Sequence, residues 1–208
     1  MINVRFVIVI FVLIFFNTSM ASTIIEGRQY IQLRHPIHNA PKLLEFFSFY
    51  CAHCYQFDQV YRIIDDIKSK LPEHIDFCRY HVSVLGDLGK QLTQAWAVAM
   101  VLGIENQVYP ILFKAIQQQS LHTVEDIRRI FIESGITSKK YDAIWNSVLV
   151  KSLVLDQEQA VINFHLKGVP TIFVNGKYMI NHDQLDISSV NTYVQQFSEL
   201  LIFLIEKT

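Results

Sequence analysis

Residues 42–49 read Lys-Leu-Leu-Glu-Phe-Phe-Ser-Phe, and Tyr50 separates them from the tetrapeptide Cys51-Ala52-His53-Cys54. Such a short, nearly continuous apolar run is typical of a strand that is buried on both faces of a sheet. After the cysteines, apolar residues recur with helical spacing through residues 55–71, and Pro72 ends the pattern. The sequence therefore predicts that the two cysteines lie where a buried strand gives way to a helix.

The segments on either side of this junction extend the predicted sheet. Residues 30–33 alternate apolar and polar side chains, as an edge strand does, and residues 75–84 regain strand character. The order strand, strand, helix, strand favours a parallel or mixed sheet with a crossover helix.

The middle of the chain has a different residue pattern, with almost no strand signals from residue 86 to about residue 166. Thr123 and Asp126 form a capping pattern in this region. Apolar spacing predicts five helices, at residues 88–102, 104–117, 124–133, 141–146 and 151–164.

Strand character returns near the C terminus. Residues 171–174 and 177–180 flank Asn175-Gly176, the strongest short-range signal for a hairpin, because a type I′ turn needs positive φ at both central residues. A final amphipathic helix is predicted at residues 188–205, with Ser188 or Ser189 as its N-cap.

This order of elements predicts an α/β domain with an inserted all-α helical domain. We place the α/β domain at residues 22–84 and 158–208, and the helical insertion at residues 85–157.

The composition excludes several classes of protein. The chain has 208 residues, a formal net charge of −1, 51% hydrophobic residues and 18% charged residues, whereas disordered chains have low hydrophobicity and high net charge. The near-neutral balance and the lack of a basic block argue against a nucleic-acid partner. Three cysteines are too few for a fold built on disulfides.

The first 21 residues are predicted to be a secretory signal peptide. Arg5 precedes an apolar run at residues 6–16, and the small residues Ser19 and Ala21 stand at positions −3 and −1 of a cleavage site after Ala21. The alternative is a membrane anchor, but a span needs about 20 apolar residues. We therefore expect an exported, soluble protein in a compartment where disulfides persist.

The cysteine pair could belong to four kinds of site. A zinc site would need two more ligands, and no second Cys-x-x-Cys is present. A c-type haem would need histidine at the position of Tyr55. A purely structural disulfide would close a very small loop and contribute little stability. A redox-active dithiol is the interpretation that uses the location of the pair.

That location favours an ionised sulfur at Cys51. The first turn of a helix offers unpaired N–H groups and the positive end of the helix dipole, and His53 adds a donor or a positive charge. A stabilised thiolate is a good leaving group, so the disulfide becomes oxidising. Cys54, one turn further into the helix, is expected to be more buried and to close or release the intramolecular disulfide.

Two further features are candidates for the same site. Pro170, in the segment Gly168-Val169-Pro170, opens the first strand of the hairpin; it is either a cis proline with a specific purpose or an ordinary trans proline that begins a strand. Glu45 is an acid inside the apolar strand; it either serves proton transfer or pairs with Arg79 of the neighbouring strand or with solvent.

The remaining histidines and the third cysteine do not have the spacing of a metal-binding or catalytic site. Cys78 is predicted to be a buried small apolar residue. The histidines share no spacing and are predicted to be structural or solvated: His35, His38, His74, His81, His122, His165 and His182.

These motifs together resemble the DsbA family of periplasmic thiol–disulfide oxidoreductases. The likeness extends over essentially the whole chain after the signal peptide. It is densest at Cys51 and at residues 44–49, 53–57, 92–100, 145–147, 168–170 and 173–178.

The resemblance implies a thioredoxin fold with a helical insertion and a role for each matching residue. Cys51 matches the exposed nucleophile, Cys54 its buried partner, and His53 the histidine that stabilises the thiolate. Pro170 matches the cis proline, and the Val169 backbone pairs with extended substrates. Glu45 matches a buried acid near the inner cysteine, and Arg79 stands where the family commonly has lysine.

The resemblance also implies an activity and partners. The family donates a disulfide to newly exported, unfolded proteins and is reoxidised by DsbB, a membrane quinone reductase. No metal or organic cofactor is implied beyond the redox-active Cys51–Cys54 disulfide, and we expect a monomer. Two alternatives remain open: a disulfide reductase or isomerase, and a peptide-binding chaperone whose disulfide is merely structural.

One residue departs from the family pattern. Ala52 occupies the position of the proline in the usual Cys-Pro-His-Cys motif. Alanine is a good helix former, so the helix should persist. Because the dipeptide between the cysteines tunes the redox poise, we expect a somewhat weaker oxidant than the usual motif gives.

Overall fold

A mixed sheet forms the centre of the molecule, which is described here by a computed structural model covering residues 23–71, 75 and 77–207. Within these residues the sheet has five strands in the order β1-β5-β4-β2-β3. β2 and β3 are parallel, and the other neighbouring pairs are antiparallel. The strands are β1 Tyr30–Gln32, β2 Leu43–Phe47, β3 Phe77–His81, β4 Thr171–Val174 and β5 Tyr178–Ile180.

Eight α-helices accompany the sheet in the described part of the chain. A π-helical turn, Gln56–Val60, lies between the first two, and a 3-10 turn, His182–Gln184, precedes the last. The helices are α1 Ala52–Tyr55, α2 Ile63–Lys70, α3 Gly89–Leu102, α4 Glu105–Gln117, α5 Val124–Glu133, α6 Ser138–Trp145, α7 Val148–Asn163 and α8 Val190–Glu206.

The predicted strands and the hairpin are confirmed. β1 is an edge strand, and β2 is buried along its whole length because it lies between β4 and β3 with helices on both faces. Leu43 packs toward α2 and α8, whereas Leu44 and Phe46 pack toward the end of α7. Asn175 and Gly176 both have positive φ, 53° and 61°, as the type I′ turn requires.

The single helix predicted at residues 55–71 is wrong. The helix begins earlier, at Ala52, and is interrupted by the π turn and by Arg62, which has a φ of 52°. The wider turn lets two adjacent side chains point inward, because Phe57 packs against Phe197 of α8 while Asp58 faces Arg79 of β3. The predicted stop at Pro72 lies outside the described residues.

Two insertion helices begin earlier than their apolar spacing indicates, and their caps explain the difference. The Thr137 side chain accepts a hydrogen bond from the Lys140 N–H, so α6 begins at Ser138. The Ser147 side chain accepts one from the Val150 N–H at 3.2 Å, so α7 begins at Val148. The capping box of Thr123 and Asp126 at the start of α5 is confirmed.

The insertion and the sheet share one helix. The chain from α3 to α7 lies between β3 and β4. Val150 near the start of α7 packs among the insertion helices, whereas Ala160 and Phe164 at its end pack on the sheet beside Phe46. The domain boundaries proposed from sequence stay a prediction, and the one between residues 157 and 158 falls within α7.

The N-terminal segment predicted to be a signal peptide lies outside the described residues. Among the helices that are described, none combines the length and the apolar character that a bilayer span requires.

Candidate active site

Cys51 lies at the turn that joins β2 to α1. It is the N-cap of α1, and its Sγ accepts a hydrogen bond from the Cys54 N–H at 3.1 Å. The Cys51 N–H donates to the Ser48 carbonyl at 3.0 Å, which closes the turn after β2. The sulfur is half-buried, and the backbone N–H groups of the first helical turn surround it.

The pKa values of the two thiols are shifted in opposite directions from their ordinary value. A hydrogen bond from the Cys54 thiol is the largest influence on Cys51; together with the N–H groups of Cys54 and His53 it outweighs burial and lowers the Cys51 pKa to about 6. Burial, followed by the contact with Cys51, raises the pKa of the Cys54 thiol far above its ordinary value. Both cysteines are free thiols in this structure. At neutral pH the pair is therefore a Cys51 thiolate held by a Cys54 thiol.

The loop before β4 faces the cysteine pair. The Val169–Pro170 peptide is cis, as predicted, and the Val169 carbonyl oxygen lies 3.3 Å from the Cys51 Sγ. Pro170 is buried, and Thr171 Oγ1 donates to the Gly168 carbonyl at 2.8 Å, which fixes the loop where β4 begins. The reactive sulfur and the backbone next to Pro170 thus lie within contact distance.

A cavity opens beside this pair of segments. It has a volume of about 320 Å³ and is bounded by the exposed His53 on one side and Pro170 on the other. His182 also lines it, and partial burial lowers the pKa of its imidazole. The apolar and aromatic part of the wall consists of Phe57, Tyr61, Ile187, Val190 and Tyr193.

Glu45 belongs to a buried charge cluster beneath the pair. Its carboxylate is fully buried and lies opposite Arg79 in the β2–β3 register, with 2.9 Å between Arg79 Nε and Glu45 Oε2. A second acid, Asp58, lies 3.2 Å from the same guanidinium. Burial, in spite of Arg79 and helped by Asp58, raises the Glu45 pKa to about 7.

The Glu45–Arg79 ion pair is close but poorly aligned for hydrogen bonds. Neither Glu45 oxygen nor Arg79 Nε has an aligned hydrogen-bond partner, although the two side chains are in contact. With a pKa raised to about 7, the Glu45 carboxyl group can gain or lose a proton near neutral pH. The pairing with Arg79 considered from the sequence is therefore present, together with a raised pKa, and the proton-transfer role of Glu45 stays a prediction.

The structure brings most of the residues predicted from sequence into one place. Cys51, Cys54, Val169 and Pro170 meet at the sulfur, and His53 stands beside it. Glu45 lies on the strand that leads to them. Cys78 is half-buried rather than buried, because it lies on the edge strand β3.

Two polar residues near the site were not singled out from sequence. Asp58 sits in an apolar helical pattern whose π turn has no obvious sequence signal, so its inward direction could not be read. His81 is buried and hydrogen-bonded, as a structural histidine is, but its partners come from distant segments. In the described part of the chain, no group of three or more His, Cys, Asp or Glu side chains is arranged to hold a metal ion.

The sequence profile of the DSBA-like thioredoxin domain matches residues 42–191, a range that contains the cysteine pair, the insertion and the cis-proline loop. The chain belongs to this family. Its fold is accordingly the thioredoxin fold with an inserted helical domain, and it is a thiol–disulfide oxidoreductase.

Relatives with a shared name support the assignment over nearly the full length. The thiol:disulfide interchange protein DsbA of Salmonella typhimurium is 49% identical over 191 residues, covering 91% of this chain and 92% of that protein. The DsbA of Yersinia pestis is 48% identical over 204 residues, 98% of each chain.

Solved structures agree with the fold. The structure of Proteus mirabilis DsbA, a cysteine-to-serine variant with the non-covalently bound peptide PWATCDS, has a TM-score of 0.86 and 45% identity, covering 88% of this chain and 99% of that one. The DsbA of Klebsiella pneumoniae has a TM-score of 0.85 and 35% identity, covering 89% and 99%. Ala52 is exposed and is the first residue of α1, so the departure from the usual motif of the DsbA family leaves the helix intact.

Proposed function

We propose that the chain is a periplasmic oxidase of protein thiols, which donates its Cys51–Cys54 disulfide to newly exported proteins. The observation that carries the proposal is the opposed acidity of the two sulfurs. A Cys51 pKa lowered to about 6 beside a Cys54 pKa that is raised favours the reduced pair, and hence an oxidising disulfide.

The proposed reaction begins with the oxidised pair. A substrate thiolate attacks the Cys51 Sγ, the Cys51–Cys54 bond breaks, and Cys54 leaves with the electron pair and takes up a proton. A second substrate thiolate then attacks the substrate sulfur of the mixed disulfide, and Cys51 departs as a thiolate. The substrate is oxidised by two electrons, and the enzyme is left as the dithiol.

Neighbouring groups have distinct proposed roles. His53 stabilises the departing Cys51 thiolate, and the Val169 backbone beside Pro170 pairs with an extended substrate segment. Glu45, whose pKa is about 7, exchanges the proton that Cys54 gains and loses. The cavity next to His53 offers an apolar surface for a substrate side chain.

The remaining parts of the proposal concern the cycle and the compartment. A DsbB-like membrane quinone reductase reoxidises the dithiol, and the signal peptide predicted from sequence delivers the protein to the periplasm. We propose that the enzyme acts as a monomer and needs no cofactor beyond its own disulfide.

Stoichiometric oxidation tests the proposal. Mixed with a reduced, unfolded protein in the absence of any other oxidant, the disulfide form should oxidise one pair of substrate thiols per enzyme molecule. The Cys54→Ser variant, presented with the same substrate as an activated disulfide, should accumulate a stable mixed disulfide at Cys51. A product yield that exceeds the enzyme disulfide, or a mixed disulfide at Cys78 instead, would contradict the mechanism.

Ala52 gives a prediction about oxidising strength. The Ala52→Pro variant should be a stronger oxidant, because proline fixes φ at the first helical position, where the N–H groups bind the Cys51 thiolate. The equilibrium constant with glutathione, measured for the parent and the variant, checks this. The Ala52→Ser variant controls for the effect of replacing Ala52 with a residue that does not fix φ. Equal glutathione constants for the parent and the proline variant would refute the prediction.

The acidity of Cys51 also predicts how stability depends on pH. Since the folded-state pKa of about 6 lies below the ordinary value of 9.0, the dithiol form gains stability that is fully present above about pH 9 and is lost as pH falls to about 6. Three pH units correspond to about 4 kcal/mol, and partial exposure of the sulfur reduces this to roughly 2 kcal/mol.

Urea unfolding of the dithiol and disulfide forms between about pH 5 and 9 measures this effect, because that range spans the folded and ordinary pKa values of Cys51. The stability advantage of the dithiol form should shrink toward the acid end. A disulfide form that is the more stable at every pH would show that the fold does not favour the thiolate.

A further inference from the structure

The turn that presents Cys51 is held by a histidine that comes from a different strand. The Phe49 N–H, two residues before Cys51, donates to His81 Nε2 at 3.2 Å. The imidazole of His81 also stacks on the Phe49 ring, with 5.1 Å between centroids and 27° between planes. His81 is 1% exposed, so no solvent competes for these contacts.

The hydrogen bonds fix the tautomer of His81. Because Nε2 accepts from a backbone N–H, it carries no proton, so the neutral ring is protonated at Nδ1. The Nδ1–H donates to Thr93 Oγ1 at 2.8 Å, and the Thr93 hydroxyl donates to the Gly89 carbonyl at 3.1 Å. Burial lowers the His81 pKa to about 3, which is consistent with a neutral ring at any physiological pH.

The same histidine is held by the helical insertion. Thr93 lies on α3. Gln157, on α7, accepts a hydrogen bond from the backbone N–H of His81 through Oε1 at 2.9 Å. The Gln157 amide in turn donates to the Leu153 carbonyl at 3.2 Å within its own helix. Thr93 and Gln157 are both fully buried. Helix α3 thus orients the imidazole through Thr93, and helix α7 holds the backbone of the same residue through Gln157.

Tyr50, the next residue of the turn, is also in contact with the segment that leads from β3 into the helical insertion. A Cβ added at Gly86, in the segment between β3 and α3, would lie 2.3 Å from a ring carbon of Tyr50. The Tyr50 N–H donates to Ser48 Oγ at 3.2 Å, and the Cys51 N–H donates to the Ser48 carbonyl. The Ser48 backbone also acts on the Cys54 thiol, lowering its pKa against the larger effect of burial. The turn of residues 48–51 therefore influences both sulfurs.

We infer that His81 is a positioning residue for the Cys51 thiolate, through which the helical insertion holds the turn of residues 48–51. Without the acceptor at Nε2 the Phe49 N–H is buried without a partner, and the peptide must reorient to find one. Such a reorientation moves the Ser48 carbonyl and the donors that surround Cys51 Sγ. This inference rests on the proposed function only in taking Cys51 as the reactive sulfur.

Three variants separate positioning from packing. His81→Phe keeps an aromatic ring but removes the acceptor, and it should raise the Cys51 pKa by about one unit, a tenfold change in its acid dissociation constant. His81→Gln places an amide oxygen near the position of Nε2 and should keep the parent pKa. Thr93→Val, nearly isosteric, removes the partner that orients the ring and should raise the Cys51 pKa by roughly half a unit.

The measurements are the Cys51 thiolate absorbance against pH, the equilibrium constant with glutathione, and the urea midpoint. We expect the glutathione constant of His81→Phe to shift about tenfold toward a weaker oxidant. A folded His81→Phe or Thr93→Val protein with reduced stability but with the parent pKa and constant would overturn the inference. Should His81→Phe fail to fold, Thr93→Val decides the matter. An ordinary pKa in the parent itself would instead count against the proposed function.

Discussion

The Cys51→Ser variant is expected to lose all oxidase activity, a fall on the order of a thousandfold or more to the uncatalysed background. Serine cannot form the disulfide or the mixed disulfide, so neither step of the proposed exchange remains. The small change in volume at a half-buried N-cap should leave the fold intact, because the serine hydroxyl can accept the Cys54 N–H that the sulfur accepts now.

The rate of oxidation of a reduced, unfolded protein measures this loss, and Cys78→Ser is the matched control. Cys78 lies on the edge strand β3, opposite Leu44 in the register, and takes no part in the proposed exchange, so its replacement should leave the rate unchanged. The chaperone alternative predicts that the parent protein prevents aggregation of unfolded chains without oxidising their thiols. A Cys51→Ser protein that prevents aggregation as well as such a parent would favour that alternative. A parent with a glutathione constant typical of reductants would favour a reductase or isomerase.

The Arg79→Met variant is expected to lose about 3–5 kcal/mol of unfolding free energy at neutral pH. The guanidinium is the ion-pair partner of both Glu45 and Asp58, and it lies over the Tyr109 ring, with 4.3 Å from Cζ to the centroid. Removing it leaves two acids buried side by side without that cation. Replacement by lysine keeps the charge and should cost less than the methionine change, although one ammonium group matches the guanidinium that contacts both acids less well.

The loss in Arg79→Met should depend on pH. A carboxyl group whose folded pKa is raised, as that of Glu45 already is, destabilises the fold above that pKa and ceases to do so below the ordinary value of 4.5. Urea unfolding at pH 8 and at pH 5 should therefore show a larger loss at pH 8. An equal loss for methionine and lysine at both values would mean that packing, and not charge, is what Arg79 contributes.

Features encoded by neighbouring residues could be predicted from the sequence. The buried strand β2, the hairpin at Asn175-Gly176 and the capping box at Thr123 each depend on a few adjacent side chains and on local backbone preferences. The cysteine pair at a strand–helix junction belongs to the same class, which is why its position at the N terminus of α1 followed from the sequence.

Features that depend on distant segments could not be predicted in the same way. The π turn brings Asp58 to an arginine that the β2–β3 register places opposite Glu45. The contacts of His81 join β3 to α3, α7 and the turn after β2, and no local pattern announces them. The resemblance to a family identified the residues at the sulfur, but the supporting contacts came only from the tertiary structure.

The strand order has a consequence for how the chain is made. β4 lies between β2 and β5, yet Glu45 and its partner Ile172 are 127 positions apart (172 − 45). During synthesis, one edge of β2 therefore stays uncovered until β4 has been made, whereas the insertion helices pack over short sequence distances. A nascent chain that stalls before residue 171 leaves the unpaired backbone groups of that apolar edge open to pairing with strands of other unfinished chains.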